Sequence, residues 1–249
     1  MNMNGVPENR ITVLKNIEPN PDAEYVLYWM INFKRTSYNF ALQRAVEWAN
    51  KLSKPLLIFE PLIIDYPMSS LRFHKFTLEG MKDVDENIEN TNAYYYPFVE
   101  EAPNQSNDLL TKLAEKAAVV VTDDYPTYFV PQMTANAKGI VNTRYEIVDA
   151  NGLIPIRIAE KEYVRAHDFR RYMHKNLLDF LVDVPEEQPL SKLENKFDET
   201  VLKDINKKWN KINFDTFKQE NFLSNLNIDK SIKESSIIGG YKKAKERLD

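Results

Sequence analysis

The sequence predicts an α/β protein: a Rossmann-like, open, parallel, five-stranded sheet with helices on both faces, followed by a helical linker. Short apolar runs of strand-forming residues alternate with segments that carry apolar residues at helical spacing. This alternation is typical of βαβ units, whose right-handed crossovers produce a parallel sheet. Of the 249 residues, 43% are hydrophobic and 12% are aromatic, which is enough to build a buried core.

The predicted strands are rich in β-branched, aliphatic and aromatic residues, and they span residues 25–30, 56–59, 93–99, 117–122 and 146–149. Between them, helical periodicity predicts helices over residues 36–52, 71–90, 107–116 and 130–138. Thr36 or Ser37 is the expected N-cap of the first helix. Residues 153–158 are expected to be extended, and residues 159–182 are expected to form one helix.

The same patterns divide the chain into predicted parts. Residues 1–23 are interrupted by three prolines and form an N-terminal arm. Residues 24–160 form the α/β domain. Residues 161–236 form an interdomain helix and a charged linker with one or two short helices.

Composition excludes several classes of function. The chain has 33 basic and 37 acidic residues, so no whole-chain positive field is available for binding nucleic acid. It has no cysteine, which excludes disulfides, thiolate metal sites and cysteine nucleophiles and fits a reducing compartment. No apolar run approaches the roughly 20 residues that span a bilayer, and the first residues lack the apolar segment of a secretory leader. We expect a cytoplasmic protein without membrane contact.

The scarcity of glycine argues against a conventional nucleotide site. The chain has six glycines, none of them in the loop after the first predicted strand. Neither a GxGxxG nor a GxxxxGK[ST] motif is present, so backbone amides cannot approach a pyrophosphate in the usual way. A phosphate site for NAD, FAD or ATP is therefore not expected in this domain.

The loops after the strands instead offer polar and aromatic side chains, at the edge where open parallel sheets bind ligands. The candidate ligand-binding residues are Met30, Asn32, Phe33, Arg35, Phe59, Glu60, Asp123 and Tyr125. Such a mixture can hold a flat, polar-edged chromophore by stacking and hydrogen bonding. The alternative, which spacing alone favours, is that Arg35 pairs with Asp123 or Glu60 and joins two loops.

Catalytic and metal sites are not indicated. No Ser-His-Asp order, nucleophile elbow or acid–base pair is evident. The three histidines are His74, His167 and His174, too few ligands for a zinc site without thiolates. Basic residues cluster on one predicted helix: Arg165, His167, Arg170, Arg171, His174 and Lys175. This face is either a phosphate-facing patch or, as the negative net charge favours, a solvated or docking face.

Several segments, taken in order, resemble the class II branch of the photolyase–cryptochrome family. They are YVLYWMINFKRTSYNFAL, PLLIFEPLIIDYPMSSLRFHKFTLEGM, AAVVVTDDY and YEIVDANGLIPIRIAEKEYVRAHDFR. Gly239-Gly240, with Ala244 and Leu248, resembles the start of the first helix of that family's flavin domain. One departure is that residues 169–172 lack the proline usual in the branch.

The resemblance implies the N-terminal antenna α/β domain of a class II DNA photolyase, with residues 237–249 as a truncated start of the helical FAD-binding domain. In that family the α/β domain can hold an antenna chromophore, usually a deazaflavin or a folate. The helical domain binds FAD, flips the pyrimidine dimer out of the duplex and splits it with light. We therefore expect FAD in a complete enzyme and not in this chain, which alone is expected to be inactive.

The implied partner is a helical FAD-binding photolyase domain, in the same reading frame or on a separate chain, and damaged DNA would be reached only through it. Two other interpretations stay open. One is a stand-alone Rossmann-like nucleotide- or pigment-binding module without repair activity. The other is a non-functional remnant, which would fold poorly because its interface toward the helical domain is uncovered.

Overall fold

The sheet determines the architecture of the chain in the computed structural model, which describes residues 5–64, 66–159, 161–215 and 219–248 (219–221 without their side chains). Parts of the predicted arm, linker and C-terminal segment lie outside these residues. The six strands are β1 (Ile11–Lys15), β2 (Tyr25–Trp29), β3 (Leu56–Leu62), β4 (Tyr94–Val99), β5 (Ala117–Asp123) and β6 (Arg144–Val148). Their order across the sheet is β1-β6-β5-β2-β3-β4. All neighbours pair in parallel except β1 with β6.

The Rossmann-like α/β class is therefore confirmed, and the predicted number of five strands is wrong. The additional strand, β1, comes from the predicted arm and pairs Ile11 with Val148 in the antiparallel sense. Its signal was weak because an edge strand of five half-exposed or exposed residues has no continuous apolar run. The prolines that suggested an arm, Pro7 and Pro19, lie on either side of the strand and not within it.

Helices cover both faces of the sheet. They are α1 (Phe40–Lys51), α2 (Leu71–Ile88), α3 (Gln105–Glu115), α4 (Val130–Ala137), α5 (Ala166–Phe180), α6 (Lys203–Asn206), α7 (Gln219–Asn225) and α8 (Tyr241–Leu248). Side chains alternate along β2, so that Val26 and Tyr28 pack in the core beneath α1 while Leu27 and Trp29 pack in the core beneath α3. No helix within the described residues is long and apolar enough to cross a membrane.

Three local features of the structure differ from the sequence prediction. Asn39, not Thr36 or Ser37, caps α1: its Oδ1 accepts from the backbone N–H groups of Ala41 and Leu42 at 3.0 and 3.2 Å. The long helix predicted over 159–182 is the shorter α5. The segment predicted to be extended ends in a turn of 3₁₀ helix at residues 156–158.

The linker covers the free edge of β4. The N–H of Ile212 donates to the carbonyl of Pro97 at 2.9 Å, and the hydroxyl of Tyr96 donates to the carbonyl of Trp209. Covering an edge strand in this way protects it from pairing with another chain.

The segment before α8 approaches α2 so closely that glycine is required. A Cβ on Gly239 would lie 2.0 Å from the carbonyl oxygen of Phe76. The N–H of Gly239 donates to Glu79 at 2.7 Å, and the N–H of Lys242 donates to Asp83 at 3.0 Å. These contacts attach the C-terminal segment to the α/β domain.

We expect Gly239→Ala to separate this segment from α2, at a cost of about 1–3 kcal/mol for forcing the backbones apart. Hydrogen exchange of residues 232–248 should become faster while that of the sheet stays unchanged. Gly139→Ala is the matched control, because its new Cβ would lie 3.4 Å from Asn136 in ordinary contact. Equal exchange rates in the Gly239 variant and the parent would contradict the conclusion that the close approach to α2 requires glycine at position 239.

Candidate functional site

The candidate site lies at the carboxyl edge of the parallel strands. From β2 the chain proceeds to β3 and β4 on one side and then crosses to β5 on the other, so the topology reverses between β2 and β5. Open α/β sheets bind ligands in the crevice at such a reversal. The loop after β2 and the end of β5 meet here.

Asp123 fills this crevice from the end of β5. Its Oδ2 accepts from the backbone N–H groups of Ile31, Asn32 and Phe33 at 3.0, 2.6 and 2.9 Å. Its Oδ1 accepts from the hydroxyl of Tyr28 at 2.7 Å. In nucleotide-binding domains, amides of this loop hold a phosphate. Here a buried side-chain carboxylate occupies them.

The electrostatics of this cluster follow from burial. Burial raises the pKa of the Asp123 carboxyl, although the three N–H groups and Tyr28 act in the opposite direction. Burial and the neighbouring Asp123 charge raise the pKa of Tyr28 well above its ordinary value. Tyr28 therefore stays protonated and acts as a donor to Asp123.

Asn39 holds the same loop from its far end. Its Nδ2 lies 3.1 Å from each of three acceptors: the hydroxyl of Tyr28 and the carbonyls of Phe33 and Arg35. The loop between β2 and α1 is thus fixed by side chains at both ends. A rigid loop of this kind presents its exposed residues in one defined arrangement.

Glu60, two residues before the end of β3, is buried and accepts from two donors. Lys34 Nζ lies 2.8 Å from its Oε1, and the hydroxyl of Tyr95 donates to its Oε2. Arg35 instead donates to the carbonyl of Tyr38 at 3.1 and 3.3 Å. The predicted pairing of Arg35 with Asp123 or Glu60 is therefore wrong. Lys34, one residue earlier, makes an ion pair that joins the loop after β2 to strand β3.

The eight predicted site residues all lie on or next to this edge, but they differ in access. Met30, Phe33, Phe59, Glu60 and Asp123 are buried, whereas Asn32, Arg35 and Tyr125 are partly exposed. The ring of Phe33 meets that of Tyr125 edge to face, with centroids 6.4 Å apart. The guanidinium of Arg35 lies 5.4 Å from the Phe33 ring centroid. The side chains of Phe33, Arg35 and Tyr125 together form a packed layer above the strand ends.

A cavity of about 370 Å³ opens one strand further along, between the ends of β5 and β6 and the helix α4. It is lined by Leu14, Asp124, Tyr125, Pro126, Pro131, Thr134, Ala135, Ile147, Ile156 and Arg157. Tyr125 is the predicted site residue that borders it. At its rim, Arg157 donates to both oxygens of Asp124 at 2.6 and 2.9 Å. This hydrogen bonding raises the pKa of Arg157, so the residue is permanently cationic.

The loop that carries Arg157 is held by Arg10, the buried residue just before β1. Its guanidinium donates to the carbonyls of Asp149 at 3.2 Å and Leu153 at 2.6 Å. The carboxylate of Asp149 accepts from the N–H groups of Asn151 at 2.8 Å and Ile156 at 2.5 Å. The loop that carries Arg157 and lines the cavity is therefore held in place by hydrogen bonds to Arg10 and Asp149.

No protein-family model matches the chain. A deoxyribodipyrimidine photo-lyase of Methanothermobacter thermautotrophicus is 31% identical over 174 residues, which are 70% of this chain. A protein of the same name from Arabidopsis thaliana is 26% identical over 194 residues, 75% of this chain.

The chain belongs to the photolyase family. It spans 38% of the length of each of these photolyases. A crystal structure of an archaeal photolyase from Sulfolobus tokodaii, with two FAD molecules, superposes with a TM-score of 0.59 over 90% of this chain and 46% of that one. At 13% identity, this likeness shows a shared fold. Membership of the class II branch stays a prediction.

Of the ten residues that line the cavity of this photolyase-family chain, only Tyr125 was a predicted site residue. Leu14 lay in the predicted arm, and Ile156 and Arg157 lay in a segment predicted to be extended. The sequence feature that could have pointed to Arg157 is the pair Asp123-Asp124, because two acidic residues at the end of a buried strand each need a hydrogen-bonding partner. In the described part of the chain, no group of three or more His, Asp or Glu side chains is placed to hold a metal ion.

Proposed function

We propose that this chain forms the antenna half of a photolyase that repairs cyclobutane pyrimidine dimers with light, and that a helical FAD-binding unit supplies the repair chemistry. The observation that carries the proposal is the match to a photolyase at 31% identity, of whose length the chain spans 38%. The part of that photolyase outside the match is long enough to form a second domain.

The exposed surface of α5 is evidence for a second folded unit that packs against this chain. All fifteen residues of α5 are half-buried or exposed. Just before and after its end, Leu178 and Val182 are 73% and 80% exposed. Apolar side chains concentrated on one surface indicate a protein interface.

The α/β domain is proposed to hold an antenna pigment, a deazaflavin or a folate, at the carboxyl edge of the sheet. The accessible candidates there are Asn32, Arg35 and Tyr125, and the buried side chains of Met30, Phe33, Phe59, Glu60 and Asp123 lie next to them. The chain's own residues would orient the pigment and exclude water, and absorbed light energy would pass to FAD in the partner. The structural neighbour, a photolyase for which a novel light-harvesting cofactor has been inferred, supports this division of labour.

DNA would be bound through the partner. The chain carries a net charge of −4, and phosphate binding depends on positive charge. A cytoplasmic location also remains a prediction. A stand-alone nucleotide-binding module is less well supported, because Asp123 occupies the amides that would hold a phosphate.

Reconstitution tests this function. We expect the purified chain to contain no stoichiometric FAD and to leave dimers intact under blue light. Adding the part of the Methanothermobacter thermautotrophicus photolyase that this chain does not match should restore light-dependent loss of dimers, measured on a dimer-containing oligonucleotide.

Two controls sharpen this test. The reaction should need light, and Leu178→Lys with Val182→Lys should weaken association because charges cannot be buried in an apolar interface. Repair by the chain alone, with bound FAD, would overturn the division into two units. Absence of repair in every mixture, although the two parts associate, would overturn the repair function.

A further inference from the structure

The cations of α5 share one side of the helix with an exposed apolar residue. That side is formed by four exposed residues at spacings of four, three and four positions: His167, Arg171, His174 and Leu178. Arg170 and Lys175, which are also exposed, flank these four. Together the six residues form the α5 stripe.

The opposite side of α5 attaches the helix to the α/β domain. The hydroxyl of Tyr172 donates to the carbonyl of Ile158 at 2.9 Å, and the ring of Tyr172 packs against that of Tyr163 with centroids 5.3 Å apart. Since each helical residue advances by about 100°, Tyr172 points about 160° away from His174. The α5 stripe therefore faces away from the domain that carries the helix.

The positive charge of the α5 stripe is not neutralised by the chain itself. In the part of the chain that the structure describes, the side chains of Arg170, Arg171 and Lys175 form no ion pair and no hydrogen bond. Beside them, His167 Nδ1 lies 3.5 Å from a carboxylate oxygen of Asp168. On α3 and α8, by contrast, a lysine pairs with the glutamate three residues later at 2.7 Å. The charge on α5 is therefore available to a second molecule.

A partner that covers Leu178 also covers the cations next to it. His174 lies one helical turn before Leu178 on the same stripe, and Arg171 lies two turns before it. Removing a cation from water without a counter-charge is costly. Carboxylates on the partner offset that cost, and one carboxylate can accept two parallel hydrogen bonds from the guanidinium of Arg171.

The backbone of a nucleic acid fits the α5 stripe less well than a protein does. Phosphates would neutralise the cations, but they offer no apolar surface to Leu178 and Val182, which are 73% and 80% exposed. The centre of a protein interface provides apolar contacts, and its rim provides polar and charged groups. The combination of cations and aliphatic side chains therefore favours a protein.

We propose that the α5 stripe binds a protein surface on which carboxylates surround an apolar pocket. Leu178 enters the pocket, and Arg170, Arg171 and Lys175 pair with the carboxylates. This inference rests on the proposed function, in which the second molecule is a helical FAD-binding unit, and it states the chemistry of that unit's docking face. The chain spans 38% of the length of the photolyases that it matches, so the remainder is large enough to carry such a face.

The salt dependence of association tests the inference. The binding partner is the part of the Methanothermobacter thermautotrophicus photolyase that this chain does not match, and calorimetric titration at about 50 mM and about 300 mM NaCl changes the screening of charges. Arg170→Glu with Arg171→Glu reverses the charge of the stripe. Lys196→Glu with Lys203→Glu is the matched control, because it makes the same change in net charge at two exposed lysines of the linker. Circular dichroism shows whether each variant is folded.

At the lower salt concentration, we expect the double arginine variant to bind at least about tenfold more weakly than the parent chain. Its remaining affinity should depend less on salt, because fewer charge pairs are left to screen. The control variant should bind within about threefold of the parent chain, because its charges lie outside the docking face.

Three results would count against these proposals, and they can be told apart. If the double arginine variant binds like the parent while Leu178→Lys with Val182→Lys abolishes association, the docking face is apolar without carboxylates. That result overturns the inference and leaves the proposed function intact. If the chain alone binds a fluorescein-labelled undamaged duplex and the double arginine variant does not, the stripe binds nucleic acid and the inference is overturned. If the parent chain does not associate at either salt concentration, the proposed division into two units is overturned together with the inference.

Discussion

Asp123→Ala is expected to lower the free energy of unfolding by about 3–5 kcal/mol, the usual cost of leaving several buried polar groups unsatisfied. The alanine removes the acceptor of the N–H groups of residues 31–33 and of the Tyr28 hydroxyl. The bonds from Tyr28 and Phe33 are buried and those from Ile31 and Asn32 are partly buried, so water cannot replace the carboxylate at every donor without opening the loop.

Urea unfolding followed by circular dichroism measures this effect. The control is Asp124→Ala, one residue later, which breaks an ion pair whose carboxylate is 11% exposed and whose arginine is 55% exposed. Because the arginine stays solvated when the pair is broken, the expected loss is about 1–2 kcal/mol, between the values for exposed and buried pairs. If the two variants are destabilised equally, the carboxylate of Asp123 does not organise the loop.

The contrast between Asp123 and its neighbour shows how far sequence reasoning reaches. The position of Asp123 could be predicted, because an acidic residue that ends a buried apolar run lies at the carboxyl edge of a parallel sheet. The role of its side chain could not be predicted, because the amides that Asp123 binds lie 90 to 92 residues away in sequence. A side chain aimed at a ligand and one aimed at its own backbone have the same local pattern.

The sheet and the cavity also differ in whether they could be predicted from the sequence. Strands β2 to β5 could be predicted because each has a local, continuous apolar signal, and β6 because Ile147-Val148 comes shortly before an Asn151-Gly152 turn. The cavity could not, since its walls combine β1, β6, α4 and the loop at Arg157. Leu14 contributes a wall only because β1 pairs with β6, and that pairing depends on the register of residues over 130 positions apart.

Glu146 gives the second large expected effect. This fully buried carboxylate on β6 accepts from Arg44 at 2.8 Å, Arg144 at 2.6 Å and the indole of Trp48 at 2.9 Å. Glu146→Gln keeps the shape but, among the described residues, leaves Arg144 without a carboxylate partner and Arg44 with Glu47 alone. We expect a loss of about 3 kcal/mol near pH 7, as for other buried pairs from which one partner is removed.

The dependence on pH separates charge from packing. Burial alone would raise the pKa of Glu146, but the hydrogen bonds from Arg44 and Trp48 and the charge of Arg44 outweigh it and lower that pKa below its ordinary value. A lowered carboxyl pKa stabilises the folded state above the ordinary glutamate value of 4.5, and this contribution is lost as the pH falls through the lowered pKa.

The difference in unfolding free energy between the parent and Glu146→Gln should therefore be largest near neutral pH and shrink below about pH 4.5. Glu115→Gln, which breaks the exposed pair with Lys112 on α3, should change stability by less than about 1 kcal/mol at any pH. A Glu146→Gln difference that stays constant from pH 7 to pH 3 would assign the loss to packing. The two arginines would then be held in place by Trp48 and the sheet, not by the buried charge.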